Sequence, residues 1–375
     1  MARLTQSLPR ALGSRQFSTH DHLPSRRDFL GAVGGSAVGL VAATTLGGSS
    51  RAANKFDGRR VVFASWGGAY QDAERDSYCV PFAEKTGATV VQDGPVEVAK
   101  FRTMAESGAP IWDVVDVTDA MLYDSGGAGL LEKIDRSAAD VSRIKPDFVD
   151  EFGVGNIVWS YNIGYSTKVY GPDNHPRSWA DVFDVKRFPG KRMLSNGPSP
   201  NMEIALLADG VTPDKLYPLD IERAFKKLDT IKNDLIFWSS NSQSQQLLTD
   251  GEVVCGNILN GRAYDAAKKG AKVAVEWNQN IQSVDYLVVP KGAKNVDVAM
   301  GLIDEMTKAE NQAKLANLIA YSPTNPAAFS AINEDIAPWL CTNPKNADKG
   351  FVINAKYWRT ILKPLNERFQ LWKLS

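Results

Sequence analysis

The chain has 375 residues, with 43 basic against 43 acidic side chains, three His, three Cys and 43% apolar residues. That length exceeds what one hydrophobic core organises, so two domains or lobes are expected; 23% charged and 9% aromatic residues exclude a disordered, collagenous or coiled-coil chain. A formal charge of zero argues against a nucleic-acid binder that works by neutralising phosphates.

Residues 25–30 read Ser-Arg-Arg-Asp-Phe-Leu, and an uncharged run follows from Phe29 to Ser50. Gly31, Gly34, Gly35, Gly39, Gly47 and Gly48 interrupt that run, which makes it weakly hydrophobic for a membrane anchor. Paired arginines before such a segment resemble a twin-arginine export signal. We therefore read residues 1–53 as a signal peptide, cleaved near Ala52 or Ala53, with the periplasm as destination. The leader carries Arg3, Arg10, Arg15, Arg26, Arg27 and Arg51 against Asp21 and Asp28, so the remainder keeps 37 basic and 41 acidic residues, a net charge of −4. It also takes His20 and His22 and leaves His175 alone, which disfavours a His-rich metal site or a Ser-His-Asp triad. Cys79, Cys255 and Cys341 are widely spaced; one disulfide or three buried thiols both fit.

The mature chain alternates strands and helices. Arg60–Ser65 reads as a buried strand, Tyr70–Lys85 as a helix, Ala88–Gln92 as a strand, Val96–Glu106 as a helix and Trp112–Val117 as a third strand. This alternation predicts parallel βαβ units. Further strands are expected at Ile157–Ser166, Arg192–Ser195, Leu235–Trp238, Val253–Ile258, Val273–Val275 and Asp285–Val289. Leu219–Lys232 carries a one-faced helical pattern, and further helices are expected at 260–269, 296–308, 310–321 and 355–369. The outcome is an α/β protein of two lobes, with ligands expected at the carboxyl ends of the strands.

No phosphate-binding G-x-x-x-x-G-K-[ST] loop and no G-x-S-x-G nucleophile elbow occurs in the mature chain, and Gly127-x-Gly129 lacks the third glycine of a dinucleotide fingerprint. An exported enzyme would need a nucleophile–base pair or a metal cluster, and an iron receptor an adjacent Tyr-Tyr pair; neither pattern stands out, so we expect no enzyme and no cofactor.

Ser65-Trp66-Gly67-Gly68-Ala69-Tyr70, Phe82-Ala83-Glu84-Lys85-Thr86-Gly87, Trp112-Asp113-Val114-Val115, Ser178-Trp179-Ala180-Asp181-Val182-Phe183, Asn260-Gly261-Arg262-Ala263, Asp285-Tyr286-Leu287-Val288-Val289-Pro290 and Tyr321-Ser322-Pro323-Thr324-Asn325 occur in the order found in family 1 extracellular solute-binding proteins. The chain resembles that family from Arg59 to Phe369, and within it the spermidine/putrescine branch. The resemblance implies a monomeric bilobal periplasmic binding protein (a Venus flytrap) that hands a small solute to an inner-membrane ABC permease. It implies lobe 1 over 54–162, lobe 2 over 163–284, a return to lobe 1 over 285–322 and a last segment, 323–375, with lobe 2. Crossovers are expected near Tyr161–Gly164, Asp285 and Pro323, with closure of the lobes on the ligand.

The expected ligand is a small organic cation, a polyamine such as spermidine or putrescine. Trp66 and Tyr70 offer aromatic faces to an alkylammonium, Gly67 and Gly68 allow close backbone approach, and Asp285 and Asp119 supply carboxylates. Tyr321 matches a cleft tyrosine of the family; Trp238, Asn260, Glu203 and Tyr161 lie near strand ends or lobe crossings. Three departures point to another small solute as the alternative, one that is amino-acid-like, monocationic or polar. Ser195-Asn196-Gly197-Pro198-Ser199 stands where the branch has acids, and Leu259 and Ser283 stand where it has tryptophans.

Overall fold

The computed structural model describes residues 54–375; the expected twin-arginine signal and its expected cleavage site lie outside the described residues. Ten strands form one sheet: β1 (Arg60–Ala64), β2 (Thr89–Asp93), β3 (Val114–Thr118), β4 (Gly153–Ser166), β5 (Arg192–Ser195), β6 (Leu235–Trp238), β7 (Cys255–Leu259), β8 (Val273–Val288), β9 (Ser322–Pro323) and β10 (Gly350–Val352). Their order is β2-β1-β3-β8-β4-β7-β5-β6, with β10 beside β8 and β9 beside β4. The three strands at one end are mutually parallel, as are the three at the other. Between them β4 and β8 run antiparallel to each other and to their outer neighbours. Each parallel trio is the expected product of right-handed βαβ connection, and the two long strands join the trios.

The core divides at those strands. Val154, Ile157 and Val158 of β4 and Val284, Tyr286, Leu287 and Val288 of β8 pack with Phe63, Trp112, Leu302 and Cys341. Ile163 and Tyr165 of β4 and Ile281 of β8 pack instead with Trp179, Met202, Phe225 and, from the last helix, Trp358 and Phe369. One extended strand thus enters two cores in succession. The architecture is bilobal, the class of the sequence reading.

β8 corrects that reading. Two separate strands, Val273–Val275 and Asp285–Val289, were expected; the structure has one strand of 16 residues. Its pairing with β4 jumps from Ile163↔Glu276 to Tyr161↔Ile281, so residues 277–280 bulge outward. Gln279 there takes φ 59, held by its carbonyl oxygens accepting from the Trp179 backbone N–H and indole N–H at 2.9 and 3.1 Å. Polar Asn280, Gln282 and Ser283 are buried in this stretch. A rule that finds strands by apolar runs passes over such a segment, because its polar groups find partners on distant segments, Asn280 on the Asn346 carbonyl, Gln282 on the Ala347 carbonyl and Ser283 on Asp119.

Four α-helices of five or more residues also escaped the periodicity: Asp119–Gly127, Trp179–Phe183, Asn201–Ala208 and Asn241–Asp250. Asn201–Ala208 is buried on every face, so it has no amphipathic stripe to read. Three of the four begin with a side-chain cap (Thr118, Ser178 and Ser240), a local signal worth about 1 kcal/mol each. The expected helix from Tyr70 to Lys85 is Gly68–Glu74 and Val80–Thr86 joined through a π-helical turn at Arg75–Cys79. All three cysteines are free and buried. Among the described residues no helix is long and apolar enough to cross a membrane.

Candidate functional site

A cavity of about 350 Å³ opens where the carboxyl ends of β1, β3 and β7 meet the middle of β4 and β8. Trp66 and Gly67 follow β1, Thr118 ends β3 and Leu259 ends β7. Ile157, Trp159 and Tyr161 enter from β4 at alternate positions, as strand geometry requires of residues on one face. Asp285 is paired in register with both Thr118 and Ile157, so the sheet itself brings the carboxylate between two walls. Tyr70, Tyr321, Asn241 and Arg262 complete the lining.

Gly67 and Gly68 hold φ 77 and φ 61, a left-handed path that side chains disfavour. This turn presents Trp66 and starts the helix that carries Tyr70. The Trp159 indole N–H donates to Asp285 at 2.9 Å, and the Trp159 ring meets Tyr161 edge-on at 5.2 Å. Tyr70 and Tyr321 meet edge-on at 5.7 Å. The rings form an aromatic enclosure around one acid and one base. Trp66 Nε1 and Arg262 Nε are buried without a hydrogen-bond partner, two donors in the lining without an acceptor.

Behind the cavity lies a fully buried acidic cluster. The Tyr70 hydroxyl donates to Asp116 at 2.7 Å and accepts from Asn156 at 3.0 Å. Asn156 also donates to Glu74 at 2.9 Å and Asp116 at 3.1 Å, and the Ser65 hydroxyl donates to Glu74. Burial pushes Glu74 up to about 7. Burial and the neighbouring Glu74 raise Asp116 well above the usual carboxylate range. Asp285 is raised well above it too, first by burial and then by Asp116, while the Trp159 indole opposes the rise. An empty site therefore favours the neutral acid, and a ligand cation restores the carboxylate.

Of the residues singled out from sequence, the structure brings Trp66, Gly67, Tyr70, Asp285, Tyr321 and Tyr161 together. Gly68 lines another cavity, one that shares Gly67 and Tyr70 with this one, and four stand elsewhere. Asp119 opens the helix after β3; its carboxylate accepts from the Ala120 N–H at 2.7 Å and the Ser283 hydroxyl at 2.9 Å. It lines a different cavity, of about 620 Å³. Trp238 is buried, its indole N–H donating to Asn257 Oδ1 at 2.8 Å. Asn260 is a structural bridge: its amide oxygen accepts from the Ser160 N–H, and its Nδ2 donates to the carbonyls of Ala320 and Trp339. Glu203 sits in the second core, accepting from the Tyr217 hydroxyl at 2.7 Å and the Trp358 indole at 2.5 Å. Strand ends alone cannot separate a side chain facing the cleft from one facing the core behind it.

Arg262, Trp159, Thr118 and Asn241 were missed. Arg262 stands inside the Asn260-Gly261-Arg262-Ala263 motif, where a search for carboxylates gave no reason to weigh a cation. Trp159 lies directly across from Ser283 in the β4–β8 pair. It supplies from the neighbouring strand an indole where the polyamine pattern expects one at 283.

The family model described as bacterial extracellular solute-binding protein matches residues 77–344. The gamma-aminobutyric acid-binding protein of Pseudomonas aeruginosa is 33% identical over 329 residues, covering 86% of this chain and 93% of that protein. The spermidine/putrescine-binding periplasmic protein of Escherichia coli is 25% identical over 319 residues, covering 80% of this chain and 87% of that protein. Among solved structures, a GABA receptor shares 42% identity and superposes with a TM-score of 0.78, covering 84% of this chain and 98% of that one.

Proposed function

The chain belongs to the bacterial extracellular solute-binding proteins, and from that premise we propose that it captures a small ω-amino acid of the GABA type. Capture takes place in the periplasm, after export by the twin-arginine leader, and the solute passes to an inner-membrane ABC permease without undergoing chemistry. The observation that carries this reading is the pairing of one carboxylate, Asp285, with one guanidinium, Arg262, in a single aromatic-lined cavity. A zwitterion with separated charges satisfies both: its ammonium neutralises Asp285 and faces the rings, and its carboxylate takes the unpartnered Arg262 donor. A dication leaves the guanidinium facing a like charge.

The sequence reading of a polyamine ligand stands as the second proposal. The buried Asp116 and Glu74 behind Tyr70 favour it, since a dication nearby would draw their raised carboxyls back towards the ionised form and so gain negative potential at one end of the cavity. Neither acid lines the cavity, however, and the acid pair of the polyamine pattern is absent at Ser195–Ser199.

Calorimetry on ligand-free mature protein with GABA, 5-aminopentanoate, putrescine and spermidine separates the two. GABA-type zwitterions are expected to bind more tightly than diamines. Arg262→Gln should weaken GABA about a hundredfold, the size of a lost buried charge pair, while leaving putrescine unchanged or tighter. Tighter binding of putrescine by the wild type, with no response of GABA to Arg262→Gln, overturns the ω-amino acid reading in favour of the polyamine one.

A further inference from the structure

Gly261 is buried, second in the helix Asn260–Lys268, whose Ala263 and Ala266 pack in the lobe that holds Trp238 and Met193. Tyr321 belongs to the other core, with Phe63 and Trp112, and follows the helix Ala309–Ile319 through Ala320 at φ 55. The two meet with no room to spare. A Cβ on Gly261 would stand 2.6 Å from Tyr321 Cε1 and 2.9 Å from Cζ. Gly261 does not take a positive φ, so its backbone would accept an L-residue; the ring alone requires glycine here. Nor is that ring free to swing aside. Its other side meets Tyr70 edge-on at 5.7 Å, and the Tyr70 hydroxyl is tied to Asp116 and Asn156. Asn260 donates to the Ala320 carbonyl at 3.2 Å beside it, and Arg262 joins Tyr321 in the cavity wall.

We propose that Gly261 determines ligand length: lacking a Cβ, it lets the Tyr321 ring of one lobe lie on the first turn of the other lobe's helix, and so sets how far the cleft closes. A side chain at 261 then acts as a spacer. It pushes the Arg262 wall away from the Asp285 wall, and the cavity accepts a longer zwitterion at the expense of a shorter one. This rests on the ω-amino acid reading above.

The test compares Gly261→Ala with wild type in calorimetry against GABA and 6-aminohexanoate, each also in a Tyr321→Ala background. Gly261→Ala is expected to weaken GABA by roughly tenfold or more and 6-aminohexanoate by less than about threefold, and to do neither once the ring is gone. Equal losses for both probes, or the same loss with and without the ring, overturn the proposal. If the wild type binds neither probe, the ω-amino acid reading fails separately. The ligand-free protein then decides the spacer: urea unfolding of the four variants must show coupling between positions 261 and 321, and small-angle scattering must show a larger radius of gyration for Gly261→Ala. Additive unfolding energies or an unchanged radius overturn it.

Discussion

Asp285 ties the chemistry of the site to pH. Its carboxyl is held well above the ordinary range by burial and by Asp116, a shift towards the protonated form that an ammonium bound beside it would oppose. Binding with proton release strengthens as pH rises, by at most about tenfold per pH unit. GABA affinity measured from about pH 5 to 8 should climb accordingly, and Asp285→Asn should both weaken binding and flatten the slope. A wild-type affinity independent of pH would remove Asp285 from the ammonium site. Glu203 works differently, because it touches no ligand. Burial raises its carboxyl from 4.5 to about 7, against the Tyr217 and Trp358 hydrogen bonds, and its Oε2 is buried without a partner. The folded state therefore holds this proton more tightly than the unfolded state does. Its contribution to stability is complete below the unfolded value and is lost as pH rises through about 7. Urea unfolding should show the wild type losing on the order of 1–3 kcal/mol between about pH 5 and 8, and Glu203→Gln losing less.

At the scale of elements, the decisive pieces are β4 and β8. Their shared ladder breaks at Tyr161/Ile163, where residues 277–280 bulge out; beside it the β4–β7 ladder stops at Tyr161↔Leu259, and Asn260, the next residue, accepts from the Ser160 N–H at 3.1 Å. A break in a ladder leaves backbone groups without strand partners, and a side chain from the next helix takes one of them. Asn260→Ala should cost about 1–3 kcal/mol for the buried donor left unpaired. In addition, it removes the tie to Ala320 and Trp339. Thermal unfolding checks the first effect. An Asn260→Ala protein as stable as wild type would show that the bridge is dispensable.

For the whole molecule, two cores joined by continuous strands fit the hinge expected from the family resemblance, whose closed form would enclose the cavity. A ligand that binds only the closed form stabilises it by mass action, by about 2.7 kcal/mol at a hundred times its dissociation constant. The melting temperature should rise with the true solute, and the radius of gyration in solution should fall; a ligand that does the first without the second binds without closing the lobes.

The chain order of Trp66-Gly67-Gly68, Asp285-Tyr286 and Tyr321-Ser322 pointed to the family and to half of the residues that line the cavity, because turn chemistry and β-branched runs are local properties. The βαβ alternation from Arg60 to Val117 was legible for the same reason: each strand buries its own apolar residues. Face and partner were not legible. Asp119 and Asp285 look alike in sequence, yet one turns to Ser283 and the other into the cavity. Asn260 read as a ligand contact and is a bridge between lobes. Arg262 carried no signal at all until the fold set it in one cavity lining with Asp285. Local sequence decides which segments become strands and how they turn; which side chains share a cavity depends on contacts between residues more than a hundred positions apart. The zero net charge shows the same division. It separates by arithmetic into a basic leader and a chain of −4, but only the tertiary structure brings one acid and one base to a single site, and that pairing moves the reading from cation to zwitterion.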